Sequence, residues 1–221
     1  MITMATIQSV AGREPRWPAL VALFSVGMLS YGLPESISVG PGWLLPLLVM
    51  ILLIPTLIAH QQGQRELSRK LGYMALGAVT AFITGSIVLL ILGFSSKAET
   101  PIQLLSSAGL LWGSNVLTFA CWYWKLDGGG PYEREARGLH GKGAFLFPQM
   151  TLDKDLRHEM GQGDWKPGFV DYLFLAFNTS TAFSPTDVPV LSRWAKGMMM
   201  VQASVSLVIL VLLAARAVNV L

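Results

Sequence analysis

Five stretches of this chain run without a single Asp, Glu, Lys or Arg: residues 18–34, 43–59, 73–94, 102–124 and 198–215. An α-helix rises about 1.5 Å per residue, and a bilayer core about 30 Å thick takes roughly 17 to 25 apolar residues to cross. Each stretch therefore predicts a membrane-crossing helix, the last extending over about 198–220. None carries the polar stripe that a surface helix of a soluble bundle needs. A sixth apolar stretch, 168–183 (GFVDYLFLAFNTSTAF), spans only about 24 Å as a helix and contains Asp171 and a polar run from Asn178 to Thr181. It predicts either a short crossing or a segment that dips in and returns. The fold class is all-α: a polytopic helical membrane protein with six transmembrane segments, five of full length and one short or re-entrant. The whole chain, 1–221, forms a single membrane domain, with 125–167 as its one long polar loop.

Local signals refine this outline. Pro46 and Pro55 fall within the second stretch, where a proline removes a helix hydrogen bond and predicts a kink. Gly77, Ala81 and Gly85 recur at four-residue steps in the third and predict a close-packing face. Trp17, Trp43, Tyr73, the Trp122–Tyr123–Trp124 cluster, Trp165, Tyr172 and Trp194 lie at segment ends, where amphipathic rings favour the membrane interface. In the loop, Gly128, Gly129, Gly130 and Pro131 end the fourth helix. Residues 152–160 predict a short amphipathic helix capped by Thr151, and FLFP at 145–148 is apolar enough to dock on the bundle.

Charge then sets the sidedness. The chain is 52% hydrophobic and 13% charged, with a net charge of +3. Its cations gather before the first stretch (Arg13, Arg16), after the second (Arg65, Arg69, Lys70) and in the 125–167 loop, while the alternate connections are nearly bare. Cationic loops resist translocation, so the amino terminus and both basic loops are expected in the cytoplasm of a bacterial inner-membrane, multi-pass protein. The excess of positive charge is an inside fringe facing lipid headgroups; it requires no nucleic acid. No small-residue cleavage site follows the first stretch, which reads as a retained anchor. Cys121 is the one cysteine, so no intrachain disulfide forms.

Candidate chemistry concentrates near the carboxy-terminal end. Asp171 sits where the positive end of a helix dipole favours a carboxylate. Asn178 and Thr181, three residues apart, share a helix face, with Thr179 beside them. Ser184 and Asp187, in SPTD, suit a tight turn, and Asp187 has Arg193 and Lys196 within reach as ion-pair partners. Gln202 and Ser206 place an amide and a hydroxyl in the last helix, opposite this polar run. Asp155, His158 and Glu159 share a helix face but have no fourth ligand, so no metal is expected, nor any other cofactor. HExxH, GxSxG and a plausible Ser/His/Asp set are all missing, which argues against an enzyme.

WKPGFVDYLFLAFNTSTAFSPTD and RWAKGMMMVQASVSLVILVLLAARAVNVL, with FLFPQM and WYWKLDGGGP, resemble an uncharacterised family of small bacterial multi-span membrane proteins of unknown function. DYLFLAFNTSTAFSPTDVP is also distantly similar to the pore helix and filter of tetrameric potassium channels. That likeness implies a helix that enters the membrane and returns, with Asp171 near its start and Thr179 and Thr181 before the filter. AFSPT stands where those channels have glycine-tyrosine-glycine, and a proline there does not reproduce a ring of carbonyls. Two readings follow. One is a polar permeation path for ions or small solutes, lined by Asn178, Thr181, Gln202 and Ser206 in a homo-oligomer within the lipid bilayer. The other is a nonconducting accessory or structural membrane protein that binds a partner through its cytoplasmic loop.

Overall fold

In the computed structural model, the described residues are 14–93, 100–137, 143–181 and 187–218, with side chains to 215. Among them the chain forms nine α-helices: α1 (Trp17–Tyr31), α2 (Leu44–Gln61), α3 (Arg65–Gly93), α4 (Pro101–Leu126), α5 (Pro131–Arg137), α6 (Pro148–Thr151), α7 (Lys154–Glu159), α8 (Phe169–Thr181) and α9 (Arg193–Val218). No strand occurs among these residues. Four helical stretches, Leu44–Gln61, Arg65–Gly93, Pro101–Arg137 and Arg193–Ala215, are long and apolar enough to cross a membrane; α1 is shorter. All-α is thus the observed class, and six crossings are not what these lengths alone establish.

Helix boundaries follow from local chemistry. Thr100 and Gln103 form a reciprocal capping box at the start of α4, with Pro101 in the first turn, where its missing N–H costs nothing. Its far end is turned by Gly128, Gly129 and Gly130, with φ of 58°, 83° and 90°. A Cβ at Gly130 would also lie 2.6 Å from the Lys125 carbonyl oxygen, so both conformation and space require glycine. In α2, Pro46 falls in the first turn and Pro55 is accommodated inside one continuous helix. The short loop helix begins at Asp153, whose carboxylate accepts from Lys154 N–H, and not at Thr151. Thr151 instead donates to the Pro148 carbonyl and closes α6.

α4 is the central element, packing on α1, α3, α8 and α9, while α2 packs on α1 and α3. α3 buries Ala75, Leu76, Val79, Phe82, Ile83, Ser86 and Leu90. That choice uses the expected small-residue face only at Gly85, where a Cβ would lie 2.6 Å from Val39 Cγ2: Ala81 is exposed and nothing lies within 4 Å of a Cβ placed on Gly77. The broader 3.6-period stripe of bulky residues wins because it buries more apolar area. The outer faces of the bundle remain apolar, with Leu47, Met50, Ile51 and Ile54 on α2 and Met200, Val201, Leu207 and Val211 on α9 all exposed.

Both ends of the α8 segment lie at one end of α4. At its start, the Tyr172 hydroxyl donates to Asp127, just past the α4 terminus. The chain then runs down the bundle to Thr181, yet Phe145 and Val190 form an antiparallel bridge. Leu146 N–H donates to the Pro189 carbonyl and Leu191 N–H to that of Ala144. Phe145 in turn touches the rings of Tyr123, Tyr172 and Trp194, so residues 187–194 are back beside the level at which α8 began. The FLFP stretch thus docks as expected, with Phe145 and Phe147 buried beneath the loop.

Candidate functional site

The polar residues of the carboxy-terminal region separate into a buried group and an outer group. α8 buries Tyr172, Leu175, Ala176, Thr179 and Ser180, a stripe at helical spacing that faces α4 and α9. Gln202 on α9, fully buried, meets that stripe. Its Nε2 donates to the Ala176 carbonyl at 2.7 Å and to the Ser180 hydroxyl at 2.8 Å. Its Oε1 accepts from the Tyr123 hydroxyl at 2.5 Å. One turn along α9, Ser206 accepts from Asn115 Nδ2 at 2.9 Å, and the same nitrogen approaches the Gln202 carbonyl at 3.5 Å. Both amide hydrogens of Gln202 and its oxygen are therefore used, and the cluster joins three helices without access to solvent.

The remaining candidates lie elsewhere. Thr179 is buried and its hydroxyl is returned to the Leu175 carbonyl, within its own helix. Thr181 is exposed and donates to Phe177 in the same way. Asn178 is half-buried and makes no hydrogen bond among the described residues. So Asn178 and Thr181 do share a face, and it is not the face that meets Gln202 and Ser206. Asp187 is exposed, and among the described residues no ion pair joins it to Arg193 or Lys196. Ser184 lies outside the described residues. Asp171 acts as the start of α8 requires: its carboxylate accepts from Gly168 N–H at 2.8 Å.

Three members of the cluster were not among the sequence candidates. Asn115 is the one amide in the interior of the 102–124 stretch, which is itself a signal that a partner waits inside the bundle. Tyr123 reads as one of a run of interfacial aromatics, yet it is fully buried with its hydroxyl on Gln202. Ser180 sits two residues from Asn178, on the other side of the helix.

A second polar assembly closes the end of the bundle where α4 terminates. Asp127 is fully buried, and accepts from Ala144 N–H at 2.5 Å and from the Tyr172 hydroxyl at 2.7 Å. Arg134 donates to the carbonyls of Trp124 and Asp127, and its other nitrogens hold Glu14 at 3.1 and 2.8 Å. Glu14 also accepts from the Trp124 indole at 2.5 Å. Arg16 binds Glu135, lies 3.6 Å over the ring of Tyr132 and donates to His60 Nδ1. The 125–167 segment is thus built onto the bundle, pinning α8 and the start of α1 to the end of α4. No protein-family model, curated protein or solved structure matches this chain.

Proposed function

We propose that this chain is a multi-pass protein of the bacterial inner membrane in which α4, α8 and α9 form a permeation module for ions or small solutes, completed between copies of the chain. The observation that carries this reading is that α8 ends after 13 residues and its segment comes back to the end of α4 where it began. Backbone that turns round at membrane depth must satisfy its N–H and C=O groups against protein or water, and re-entrant segments of this kind border water-filled paths. The outward face of α8 presents Val170, Phe174, Phe177 and Thr181 to its surroundings, an apolar stripe with a hydroxyl at the turn. A second copy would cover the stripe and bring Asn178 and Thr181 to a shared axis.

In this arrangement α1, α2, α3, α4 and α9 cross and α8 re-enters. All of the 16 Lys and Arg residues except Lys97 and Arg216 then belong to segments on one side, the side from which α8 enters. By the positive-inside rule that side is the cytoplasm, which holds the amino terminus, while α9 ends outside. A cytoplasmic entry is opposite to that of the potassium-channel pore loop. The lining differs too: Gln202 clamps α8, Ser206 is tied to Asn115 of α4, and Asn178 and Thr181 remain for the path.

Single cysteines at Glu35, Gln64, Lys154 and Asp187, with Cys121 replaced by Ala, test the sidedness with an impermeant thiol reagent on intact cells. Glu35→Cys is expected to label and the other three are not. Labelling of Asp187→Cys with protection of Gln64→Cys would mean that α8 crosses. Conduction is tested by cation and small-solute flux into liposomes. Wild-type protein is expected to exceed empty liposomes, and Asn178→Leu and Thr181→Leu to lower that flux at unchanged thermal stability. The closed Gln202 cluster favours a second reading, a nonconducting accessory protein that uses the exposed charges of α7 to bind a partner. Wild-type flux no greater than that of empty liposomes would select it.

A further inference from the structure

A narrow cleft opens where α1, α2, α3 and α4 converge below the Gly129–Tyr132 turn. Its floor is apolar, made by Leu20, Leu23, Leu53 and Leu76, and Leu57, 40% exposed, carries that surface out to the side of the bundle. Its rim carries Arg16, His60, Arg69 and Lys125. Two of these cations already have carboxylates: Arg16 has Glu135 and Arg69 has Glu66. His60 Nδ1 faces both an Arg16 nitrogen at 3.0 Å and the Tyr132 hydroxyl at 3.1 Å; since arginine only donates, Nδ1 accepts.

Lys125 is different. Its ammonium has no carboxylate and no hydrogen-bond acceptor among the described residues, and it lies 4.6 Å from the centre of the Tyr73 ring. Gly72 makes its position available, because a Cβ there would collide with Lys125 Nζ. A half-buried ammonium held against an aromatic face, at the mouth of an apolar groove, is complementary to one negative charge attached to a hydrocarbon chain. Arg16 and Arg69 add to the positive potential at the same mouth.

We propose that this cleft binds an anionic phospholipid, with the headgroup phosphate on Lys125 and an acyl chain along Leu20, Leu23, Leu53 and Leu76, leaving past Leu57. The site rests on the membrane placement above and not on conduction. The rim belongs to the end of the bundle that the charge distribution assigns to the cytoplasm, where such headgroups are met.

The test is the thermal midpoint of the full chain in neutral detergent, titrated separately with phosphatidylglycerol, phosphatidylcholine and inorganic phosphate. Phosphatidylglycerol is expected to raise the midpoint saturably and the other two are not. Lys125→Met is expected to weaken the apparent affinity at least about tenfold, Lys125→Arg to retain most of it, and Lys154→Met, on exposed α7, to leave it unchanged. An equal shift with phosphatidylcholine overturns the charge recognition, and an equal shift with inorganic phosphate replaces the lipid with a soluble anion. Equal losses in Lys125→Met and Lys154→Met mean diffuse attraction without a site. If Lys125→Met fails to fold, the wild-type ranking of the three ligands decides. Liposome flux at fixed lipid composition separates this proposal from the permeation reading, since either can fail alone.

Discussion

Gln202→Leu is expected to lower the unfolding free energy by about 2 to 4 kcal/mol, the largest effect of any single change among the carboxy-terminal polar residues. Leucine has nearly the volume of glutamine, so little cavity arises and the loss is of hydrogen bonds. Three are removed at once, to Tyr123, Ala176 and Ser180. Interhelical bonds in membranes average about 0.6 kcal/mol each, which sets the lower bound. The upper bound comes from the Tyr123 and Ser180 hydroxyls, both fully buried and left facing a methyl group. Tyr123→Phe, which strands the buried Gln202 Oε1 alone, is expected to cost about 1 to 2 kcal/mol, and Asn178→Leu less than about 0.5 kcal/mol. Reversible unfolding in mixed micelles orders the three variants. Equal stability of Gln202→Leu and wild type would show that the cluster does not clamp α8, and flux lost at unchanged stability would return Gln202 to the path itself.

How far the sequence disclosed this arrangement depends on the kind of signal. Helical class and the long crossing-competent helices were legible because charge-free runs of bilayer length are few in ordinary domains, and a helix satisfies its own backbone. The docking of FLFP was legible for a similar reason, since four apolar residues inside a polar loop need cover. The face of α8 was not. Within the polar run Asn178–Thr181, the helix turns Thr179 and Ser180 inward beside Leu175 and Ala176 and leaves Asn178 and Thr181 on the other side. Small hydroxyl residues fit a close three-helix contact, whereas asparagine there would need two more partners. A 16-residue stretch left open whether the segment crosses or returns, and the re-entrant reading leans on pairing of 144–146 with 189–191, a long-range contact that no local pattern encodes. The isolated face of Gly77 and Ala81 shows the converse: a motif for close approach is used only where the surrounding helices leave a neighbour to approach.

Arg134→Met is expected to destabilise the protein by about 3 to 5 kcal/mol, more than the loss of any one bond in the bundle. The Arg134 side chain is 5% exposed and that of Glu14 is 14% exposed. Methionine keeps the unbranched stem and its packing, so the cost falls on polar groups. Glu14 would keep only the Trp124 indole as a donor, a carboxylate largely out of water with its counterion gone. The carbonyls of Trp124 and Asp127 would both lose the guanidinium that donates to them, with Gly130 N–H still donating to that of Asp127. Arg134→Lys is expected to fall between, because one ammonium cannot satisfy a carboxylate and two divergent carbonyls together. Glu14→Gln in the Arg134→Met background removes the stranded charge and should recover part of the loss, giving a coupling energy of at least about 1 kcal/mol. Proteolysis of the amino-terminal segment should accelerate in Arg134→Met before the bundle itself unfolds, since Glu14 tethers that segment to the α4 terminus. Additive costs for Glu14→Gln and Arg134→Met, with no change in proteolysis, would mean that the pair is incidental and that Asp127, through Tyr172 and Ala144, holds this end of the bundle on its own.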